Sequence, residues 1–422
     1  MSKVIFSKGV KGGKVTVPPA KSYGHRSIIC AALSEKASLI SNMDLSEDMK
    51  ASLNFLTALG GKYEYSSRCL KVNPINLNSE NIIIDCGESG STLRFVIPII
   101  AALGVKATLV GRGRLPERPL NVYTDLLPEF GVSFSANKLP MEISGKLKSG
   151  KFRVPGNISS QFISGLLFAL PLLQEDSEIE IVGKLESGAY IDMTIDVLNK
   201  YGIEITKTEK GYFVKGKQQY KAVDYTVEGD WSQAAFFLTM GALSEEVIEI
   251  EGLNKNSIQG DMGVLKLYKE IGANIDFEGE SLKIKKGSLK AIETDMHDMP
   301  DAVPALSALL ALCEGVSVIK GAERLRIKES DRLKSVSDAL NSLGGKVTET
   351  VDGLKIEGVN RLCGGNADSV NDHRILMAMA SVRSMADNDI VMTDSHCVNK
   401  SYPDFYKDYI KLGGKADVIN LG

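Results

Sequence analysis

The sequence predicts an α/β protein assembled from six copies of one structural unit. A short phrase recurs along the whole chain: an apolar or aromatic residue, then glycine, then a β-rich segment. Its six glycines are Gly60, Gly131, Gly202, Gly272, Gly344 and Gly413. Their positions differ successively by 71, 71, 70, 72 and 69 residues, so the repeats fill the 422-residue chain. Each copy has enough apolar residues for a small sheet packed by two helices.

Each unit is predicted to contain a helix, a hairpin and a second helix, in that order. The glycine ends the first helix, because a left-handed residue just past a helix costs glycine little. Alternating segments such as Lys346-Val-Thr-Glu-Thr350 and Leu354-Lys-Ile-Glu357 predict the two strands of the hairpin. Aspartates that precede most of these glycines are expected to cap the first helices. They are Asp48, Asp192, Asp261, Asp331 and Asp404.

The starts of the second helices recur in phase and collect most of the polar residues. The predicted starts are Ser22, Ser91, Ser160, Ser232, Asp301 and Asp372, which are separated by 69, 69, 72, 69 and 71 residues. Ordinary N-capping explains any one of them. Helix N-termini also present unpaired N–H groups and a partial positive charge, so several that converge would form an anion site.

The composition is that of an ordinary soluble globular protein. Lys and Arg number 50 against 53 Asp and Glu, so the net charge is −3, which argues against nucleic acid as the main partner. The amino terminus lacks the pattern of a secretory signal, and the longest apolar stretches, 162–173 and 303–313, fall short of the ~20 residues that span a bilayer. We therefore expect a soluble, cytoplasmic protein.

The cysteines and histidines do not predict a metal site. Six cysteines lie far apart without a CxxC pair, and buried free thiols are the expected state. Four histidines form no HExxH pattern.

Basic clusters and two acidic residues are the strongest indication of chemistry. Positive charge collects at Lys21 to Arg26, at Gly87 to Arg94 and in the loop Gly111 to Pro119. The carboxyl-terminal half adds Asp301 and Glu329, which lie among further Lys and Arg residues. Each cluster alone is explained as a helix cap or a solvated loop. Together they favour a doubly or triply anionic substrate that undergoes proton transfer.

An ordered set of eight motifs resembles the 5-enolpyruvylshikimate-3-phosphate synthase family of enolpyruvyl transferases. The motifs run in order along nearly the full chain. They are Lys21-Ser-Tyr-Gly-His-Arg26, Gly87-Glu-Ser-Gly-Ser-Thr-Leu-Arg94, Glu117-Arg118-Pro119, Ser159-Ser-Gln161, Pro300-Asp301, Lys328-Glu-Ser-Asp-Arg332, Asp372-His-Arg374 and Lys400-Ser-Tyr-Pro-Asp404.

The resemblance implies a two-domain inverted α/β barrel, with three βαβαββ units around a pseudo-threefold axis in each domain. Residues 1–19 and 229–422 would form a discontinuous domain on the phosphoenolpyruvate side, which carries the acid–base residues. Residues 20–228 would form an inserted domain on the 3-phosphoshikimate side.

The implied reaction transfers the enolpyruvyl group of phosphoenolpyruvate to the 5-hydroxyl of 3-phosphoshikimate and releases phosphate, a step of aromatic amino-acid biosynthesis. The resemblance implies no metal and no organic cofactor. The expected partners are the two small-molecule substrates, without nucleic acid or membrane, and the expected state is a monomer.

The resemblance also assigns residue roles. Asp301 would take the proton of the 5-hydroxyl, while Glu329, with Lys21, would protonate the methylene carbon. Gly90 would leave room for the inhibitor glyphosate. Binding of 3-phosphoshikimate is assigned to Lys21, Ser22, Arg26, Ser159, Ser160, Gln161, Ser187, Asp301 and Lys328. Binding of phosphoenolpyruvate is assigned to Lys21, Gly90, Arg118, Gln161, Arg332, Arg374 and Lys400.

Three departures from the family pattern accompany the match. Glu88 stands where the family often has Asn, and Arg324 stands where some members have Asn. The segment 186–190 lacks the Lys-Pro that is common in the family between the matching Ser and Tyr.

Three other functions remain as alternatives. The sister enzyme that acts on UDP-N-acetylglucosamine shares the barrel, but it typically has a cysteine in the loop that corresponds to 111–119, and this loop has none. A non-catalytic scaffold that binds anions would leave Asp301 and Glu329 unexplained. An RNA 3′-phosphate cyclase uses a related repeat, but the near-neutral charge and the missing adenylation histidine argue against it.

Overall fold

The chain crosses twice between two structural units. One unit comprises Met1–Pro18 and Gly229–Gly422, and the other comprises Pro19–Glu228. The computed structural model describes residues 2–77 and 82–420. Each unit closes its own backbone at the crossing: the amide of Asp230 donates to the carbonyl of Pro18 at 2.9 Å, and the amide of Ala20 donates to the carbonyl of Glu228 at 2.8 Å.

Strands are short throughout the described chain. They are β1 Ser2–Lys8, β2 Gly13–Thr16, β3 Ser38–Ser41, β4 Lys62–Ser66, β5 Cys69–Asn73, β6 Ile82–Asp85, β7 Ala107–Val110, β8 Val132–Phe134, β9 Met141–Gly145, β10 Lys151–Pro155, β11 Ser177–Val182, β12 Ile205–Thr208, β13 Gly211–Val214, β14 Asp224–Thr226, β15 Ile248–Glu251, β16 Asn274–Glu278, β17 Ser281–Lys285, β18 Glu293–Asp295, β19 Val316–Lys320, β20 Lys346–Glu349, β21 Leu354–Glu357, β22 Gly365–Ala367, β23 Ile390–Thr393 and β24 Lys415–Asn420.

Helices alternate with these strands. They are α1 Lys21–Ala32, α2 Glu47–Ala58, α3 Gly90–Leu103, α4 Asn121–Leu126, α5 Ser160–Ala169, α6 Gly188–Lys200, α7 Trp231–Ala242, α8 Val264–Ile271, α9 Val303–Leu310, α10 Arg332–Ser342, α11 His373–Ser381 and α12 Phe405–Lys411. Short 3-10 turns lie at Leu115–Glu117, Leu127–Phe130, Leu170–Leu172, Gly260–Gly263, Pro300–Ala302, Glu323–Ile327, Arg383–Met385 and Ser395–Lys400.

Each unit contains three four-stranded sheets of one topology. In Pro19–Glu228 the orders are β14-β3-β5-β4, β6-β7-β9-β8 and β10-β11-β13-β12. In the other unit they are β22-β23-β1-β24, β16-β17-β15-β2 and β18-β19-β21-β20. Every sheet has one parallel pair at an edge and two antiparallel pairings beside it. The predicted α/β class and six-fold repeat are confirmed.

The predicted conformation of the repeat glycines is also confirmed. All six have φ between +79° and +103°, the left-handed region in which a side chain would be strained. The predicted aspartate caps are mostly wrong. Asp331 caps α10 by accepting from the amide of Lys334 at 3.2 Å. Asp48 and Asp192 lie inside α2 and α6, where Ser46 and Ser187 occupy the N-cap positions.

The second helices begin close to their predicted positions, but other residues cap three of the six, and α1 and α9 have alanine at the N-cap. Asp372 is the one predicted start that caps its own helix, α11. Ser89, Ser159 and Asp230 cap α3, α5 and α7. Ser and Asp are equally good caps. Where two of them lie within two residues of each other, the sequence does not decide which one stands at the N-cap.

The second helices form the core of each unit. Helices α3, α5, α7, α9 and α11 are buried almost throughout, whereas α8 and α10 bury only one face. Helices α7, α9 and α11 contact one another, and α3 packs closely on α5. No helix in the described part of the chain is long and apolar enough to cross a membrane.

A glycine at the contact between α3 and α5 provides a test of this packing. A Cβ built on Gly165 would overlap the hydroxyl of Tyr123 and the carbonyl of Arg94. We expect Gly165→Ala to lower the free energy of unfolding by about 1–3 kcal/mol, the usual cost of overpacking, although Ala is the better helix former. Urea denaturation measures the change. In Gly188→Ala the nearest atom is 3.5 Å away, so this control should lose no stability. A Gly165→Ala variant as stable as the native chain would contradict the packing.

Candidate active site

Asp301 lies among three cations in the unit that contains Gly229–Gly422. Its carboxylate is 3.1 Å from Nη1 of Arg332, 3.2 Å from Nη2 of Arg374 and 3.4 Å from Nζ of Lys328. Nη1 of Arg374 also donates to the backbone carbonyl of Asp301 at 2.9 Å. The Pro300–Ala302 turn directly precedes α9, so the side chain is held at a helix start.

Arg332 is held in turn by a wholly buried carboxylate. Nε and Nη2 of Arg332 donate to the two oxygens of Asp372 at 2.8 and 3.3 Å. Asp372 also accepts from the hydroxyl of Ser330 at 3.0 Å and from the amide of Arg374 at 2.9 Å, which makes it the N-cap of α11. The side chains of Arg332 and Asp372 are 2% and 0% exposed, so this pair is screened little by solvent.

The cations keep both carboxylates ionised. Burial alone would raise the pKa of Asp301, but Arg374, Lys328 and Arg332 together outweigh it and hold the pKa far below its ordinary value of 3.8. Burial likewise opposes ionisation of Asp372, and the adjacent Arg332 overcomes it, so this pKa is also lowered. Conversely, burial would lower the pKa of Arg332, but Asp372, Glu329 and Asp301 raise it.

Glu329 and Lys400 complete the predicted residues of this unit. Oε2 of Glu329 is 2.7 Å from Nη2 of Arg332, so this arginine contacts three carboxylates. Nζ of Lys400 donates to the carbonyl of Asn371 at 2.8 Å. Val370 and Asn371 both have positive φ, at +48° and +55°, and such backbone strain is concentrated at functional sites.

In the unit Pro19–Glu228, Lys21 and Arg26 project from the first two turns of α1. Nζ of Lys21 pairs with Asp48 of α2 at 2.7 Å. Arg26 donates to Oγ1 of Thr194 at 2.8 Å and to the carbonyls of Ser22 and Tyr190 at 2.7 and 2.8 Å.

Arg26 is therefore a buried cation surrounded by neutral acceptors. Among the described residues, no carboxylate pairs with it, and its guanidinium lies 5.2 Å from the centre of the Phe95 ring. Burial lowers the pKa of Arg26 from 12.5 to about 10. A buried charge without a counter-ion is costly, so an anionic ligand at this position is favoured.

Gln161, Gly90 and Arg118 meet where α3 and α5 begin. Oε1 of Gln161 accepts from Arg94 at 2.7 Å, and its Nε2 donates to the hydroxyl of Ser91 at 2.8 Å. Arg118 lies against Gly90: a Cβ built there would be 2.7 Å from Cζ of Arg118. A side chain at position 90 would therefore have to displace the guanidinium of Arg118.

Three serines occupy helix starts of the same unit. Ser159 caps α5 by accepting from the amide of Gln161 at 3.3 Å, and Ser160 is the first residue of that helix. Ser187 stands at the N-cap of α6 with φ of +52° and is 2% exposed. A non-glycine residue in this conformation costs about 1–3 kcal/mol and is often retained for function.

A buried polar chain connects α1 with the start of α3. Nδ1 of His25 is 2.7 Å from the hydroxyl of Ser52, which is 2.9 Å from that of Thr92. The hydroxyl of Thr92 donates to that of Ser89, the cap of α3, at 3.0 Å. The residues near Lys21 and those near Gly90 are thus held by one network.

Ion pairs bring together Asp301, Lys328, Glu329, Arg332 and Arg374 in one unit. The sequence interpretation named Asp48, Arg94 and Asp372 but gave them no part in the site, although they hold Lys21, Gln161 and Arg332. Arg94 and Asp372 belong to two of the eight motifs, and that position could have indicated their part in the site. Across residues 2–77 and 82–420, no group of three or more His, Cys, Asp and Glu side chains is placed to hold a metal ion.

One protein-family model matches nearly the whole chain, including all of the residues described above. The family model described as EPSP synthase (3-phosphoshikimate 1-carboxyvinyltransferase) matches residues 8–409. The chain belongs to the EPSP synthase family. Its predicted site residues, from Lys21 to Lys400, all lie inside the matched range.

Curated relatives extend the match. Proteins named 3-phosphoshikimate 1-carboxyvinyltransferase from Clostridium kluyveri and Clostridium acetobutylicum are 44% and 46% identical to the chain, over 97% of this chain and of each relative. EPSP synthase from Acinetobacter baumannii has the same fold, with a TM-score of 0.84 at 24% identity over both whole chains. The enolpyruvyl transferase NikO from Streptomyces tendae has a TM-score of 0.81 at 15% identity, over 100% of this chain and 99% of its own.

The ion pairs of Asp301 predict how stability depends on pH. Because its folded pKa lies below the unfolded value of 3.8, the carboxylate stabilises the fold above that value, and this contribution is lost as the pH falls towards the folded pKa. The thermal midpoint of Asp301→Asn should therefore lie below that of the native chain near neutral pH, and the difference should shrink below pH 3.8.

Asp338→Asn is the control, because Asp338 pairs with Lys334 at the surface and both side chains are about 60% exposed. Its effect should be small at every pH. A difference between native chain and Asp301→Asn that stays constant with pH would contradict the ion-pair interpretation.

Proposed function

We propose that the chain transfers the enolpyruvyl group of phosphoenolpyruvate to the 5-hydroxyl of 3-phosphoshikimate, in the pathway to chorismate and the aromatic amino acids. The observation that carries this proposal is the family match over residues 8–409, which includes every predicted site residue. The clusters around Asp301 and Arg26 support it, because they provide cations and a buried carboxylate for an anionic substrate that exchanges protons.

The residues assigned to 3-phosphoshikimate suit a phosphate on a hydroxylated ring. Arg26 is a buried cation that pairs with no carboxylate of residues 2–77 and 82–420, and α5 offers a helix N-terminus at Ser160. The full set is Lys21, Ser22, Arg26, Ser159, Ser160, Gln161, Ser187, Asp301 and Lys328.

The residues assigned to phosphoenolpyruvate suit its carboxylate and phosphate. Guanidinium groups bind both anions through paired hydrogen bonds, and Arg332 and Arg374 are held rigidly by buried partners. The full set is Lys21, Gly90, Arg118, Gln161, Arg332, Arg374 and Lys400.

The reaction proceeds by addition and elimination. Glu329, with Lys21, donates a proton to the methylene carbon of phosphoenolpyruvate, which makes the adjacent carbon electrophilic. The 5-hydroxyl oxygen bonds to that carbon while Asp301 accepts its proton. The proton steps then reverse: the methyl group returns a proton to Glu329, with Lys21, and Asp301 gives its proton to the departing phosphate, which restores the double bond and both carboxyl groups.

Asp301 must gain basicity when substrates bind. A carboxylate with three cationic neighbours is a weak base, since the cations stabilise its ionised form. Substrate anions that pair with Arg374, Arg332 and Lys328 neutralise part of the positive charge that stabilises the ionised form of Asp301. The pKa of Asp301 then rises and proton transfer from the hydroxyl becomes less unfavourable.

Cations and proton transfers account for every step, so the proposal includes no metal and no organic cofactor. It also includes a monomer that acts in the cytoplasm on its two small-molecule substrates, without nucleic acid.

Phosphate release from phosphoenolpyruvate tests the reaction. We expect release with 3-phosphoshikimate and none with UDP-N-acetylglucosamine. Asp301→Asn should lower kcat by roughly 10²–10⁴-fold, the range for loss of a general base. Asp298→Asn is the control, because its side chain is 51% exposed and pairs with His297 instead of the cluster. Release with the sugar nucleotide alone, or with neither acceptor, would refute the proposal.

Gly90 gives a second test, through its contact with Arg118. A Cβ at this position would overlap the guanidinium, so Gly90→Ala must displace Arg118. We expect a several-fold higher KM for phosphoenolpyruvate, equivalent to about 1 kcal/mol, and weaker inhibition by glyphosate. The KM for 3-phosphoshikimate is the internal control and should not change. Equal inhibition of both forms by glyphosate would show that Gly90 does not shape this subsite.

A further inference from the structure

Two adjacent polar side chains open α7 and are almost entirely buried. Ser232 is 5% exposed and Gln233 is 1% exposed. Consecutive residues on an α-helix point about 100° apart, so the two side chains reach different neighbours. Ser232 contacts Arg374 of α11, and Gln233 contacts Ser401, which follows Lys400.

The hydrogen-bond direction at Ser232 is fixed by chemistry. A guanidinium has only donors, so the Ser232 hydroxyl accepts from Nη2 of Arg374 at 2.9 Å. Its own hydrogen goes to Oδ1 of Asp230 at 2.6 Å. The same oxygen of Asp230 accepts from the amide of Gln233 at 3.0 Å, as the cap of α7. Ser232 therefore cannot rotate freely, and its lone pair stays directed at Arg374.

This contact matters because, among the described residues, the other hydrogen bonds of the Arg374 side chain all lead to Asp301. Its Nη2 and Nη1 donate to the side chain and the backbone carbonyl of Asp301 at 3.2 and 2.9 Å. A substrate anion that competes with the Asp301 carboxylate would weaken one of these ties. Ser232 supplies a neutral anchor that such competition leaves in place.

Gln233 acts on the segment that carries Lys400. Its Nε2 donates to the hydroxyl of Ser401 at 3.1 Å. The amides of Ser401 and Tyr402 both donate to the carbonyl of Val398, at 3.1 and 2.7 Å, which ends the Ser395–Lys400 turn. Gln233 thus fastens this turn to α7 immediately after the lysine.

We propose that Ser232 and Gln233 are positioning residues for phosphoenolpyruvate: Ser232 orients Arg374, and Gln233 fixes the backbone that presents Lys400. The inference rests on the proposed function, which assigns this substrate to the two cations. Cations that bind one small anion must keep their separation and direction, and a misplacement of about 1 Å weakens binding and reaction.

Substitutions at both positions test the inference with the full chain. Ser232→Ala should raise the KM for phosphoenolpyruvate roughly tenfold, the effect of losing a hydrogen bond to a charged group. The KM for 3-phosphoshikimate should change less than twofold, and Ser232→Thr, which keeps the hydroxyl, should restore most of the loss. Gln233→Met and Ser401→Ala remove the two partners of one bond, so each should raise the same KM and their double variant should be no worse than either.

Thr239→Val separates positioning from stability. Thr239 lies two turns further along α7, and its buried hydroxyl contacts the carbonyl of Ala305 and the hydroxyl of Tyr268. This variant should lower the thermal midpoint and leave the KM for phosphoenolpyruvate unchanged. A Ser232→Ala variant that changes only the thermal midpoint, or raises both KM values equally, would overturn the inference.

The assay also distinguishes this inference from the proposed function. If the native chain releases phosphate with 3-phosphoshikimate and the variants have the same KM values as the native chain, this inference is wrong and the proposed function stands. Native chain that releases no phosphate with 3-phosphoshikimate would overturn both.

Discussion

The buried pair of Asp372 and Arg332 constrains most of the chemistry in its unit. Asp372 caps α11 and holds Arg332, and Arg332 contacts Asp301 and Glu329. One carboxylate thereby fixes the start of a helix and the two residues proposed for proton transfer. Removing one partner of such a pair costs about 3–5 kcal/mol, because an uncompensated charge stays buried.

The two units hold their arginines in opposite ways. Arg26 is surrounded by a hydroxyl and two carbonyls, so burial lowers its pKa, and no carboxylate in the described part of the chain compensates its charge. At Arg374, burial is outweighed chiefly by Asp301, and the pKa is raised. An anion that meets Arg26 supplies a missing counter-ion, whereas one that meets Arg374 competes with an existing carboxylate. The first favours tight, static binding, and the second couples binding to the protonation of Asp301.

The sequence predicted the repeat and its helix ends, because each helix end requires a glycine at positive φ and these glycines recur about every seventy residues. Local sequence signals failed where several neighbours compete for one role, as with Ser89 and Ser91 at the start of α3. They also missed contacts that only tertiary structure creates: Asp48 was expected to cap a helix, yet it pairs with Lys21, 27 residues away. The site residues were identified from the eight motifs and their order along the chain. Their contacts with substrates stay predictions.

The capping residues explain how one repeated unit supports two kinds of chemistry. In Pro19–Glu228 the second helices begin after Ala20, Ser89 and Ser159, which are neutral, so the helix N-termini retain their partial positive charge. In the other unit Asp230 and Asp372 cap α7 and α11 and neutralise those ends. At these two helices anion binding must depend on side chains, and the same two aspartates position them: Asp372 holds Arg332, and Asp230 orients Ser232 towards Arg374. A fixed dipole cannot respond to a proton, whereas an arginine shared between carboxylates can. Divergence at the caps therefore supports a binding role for the first unit and an acid–base role for the second.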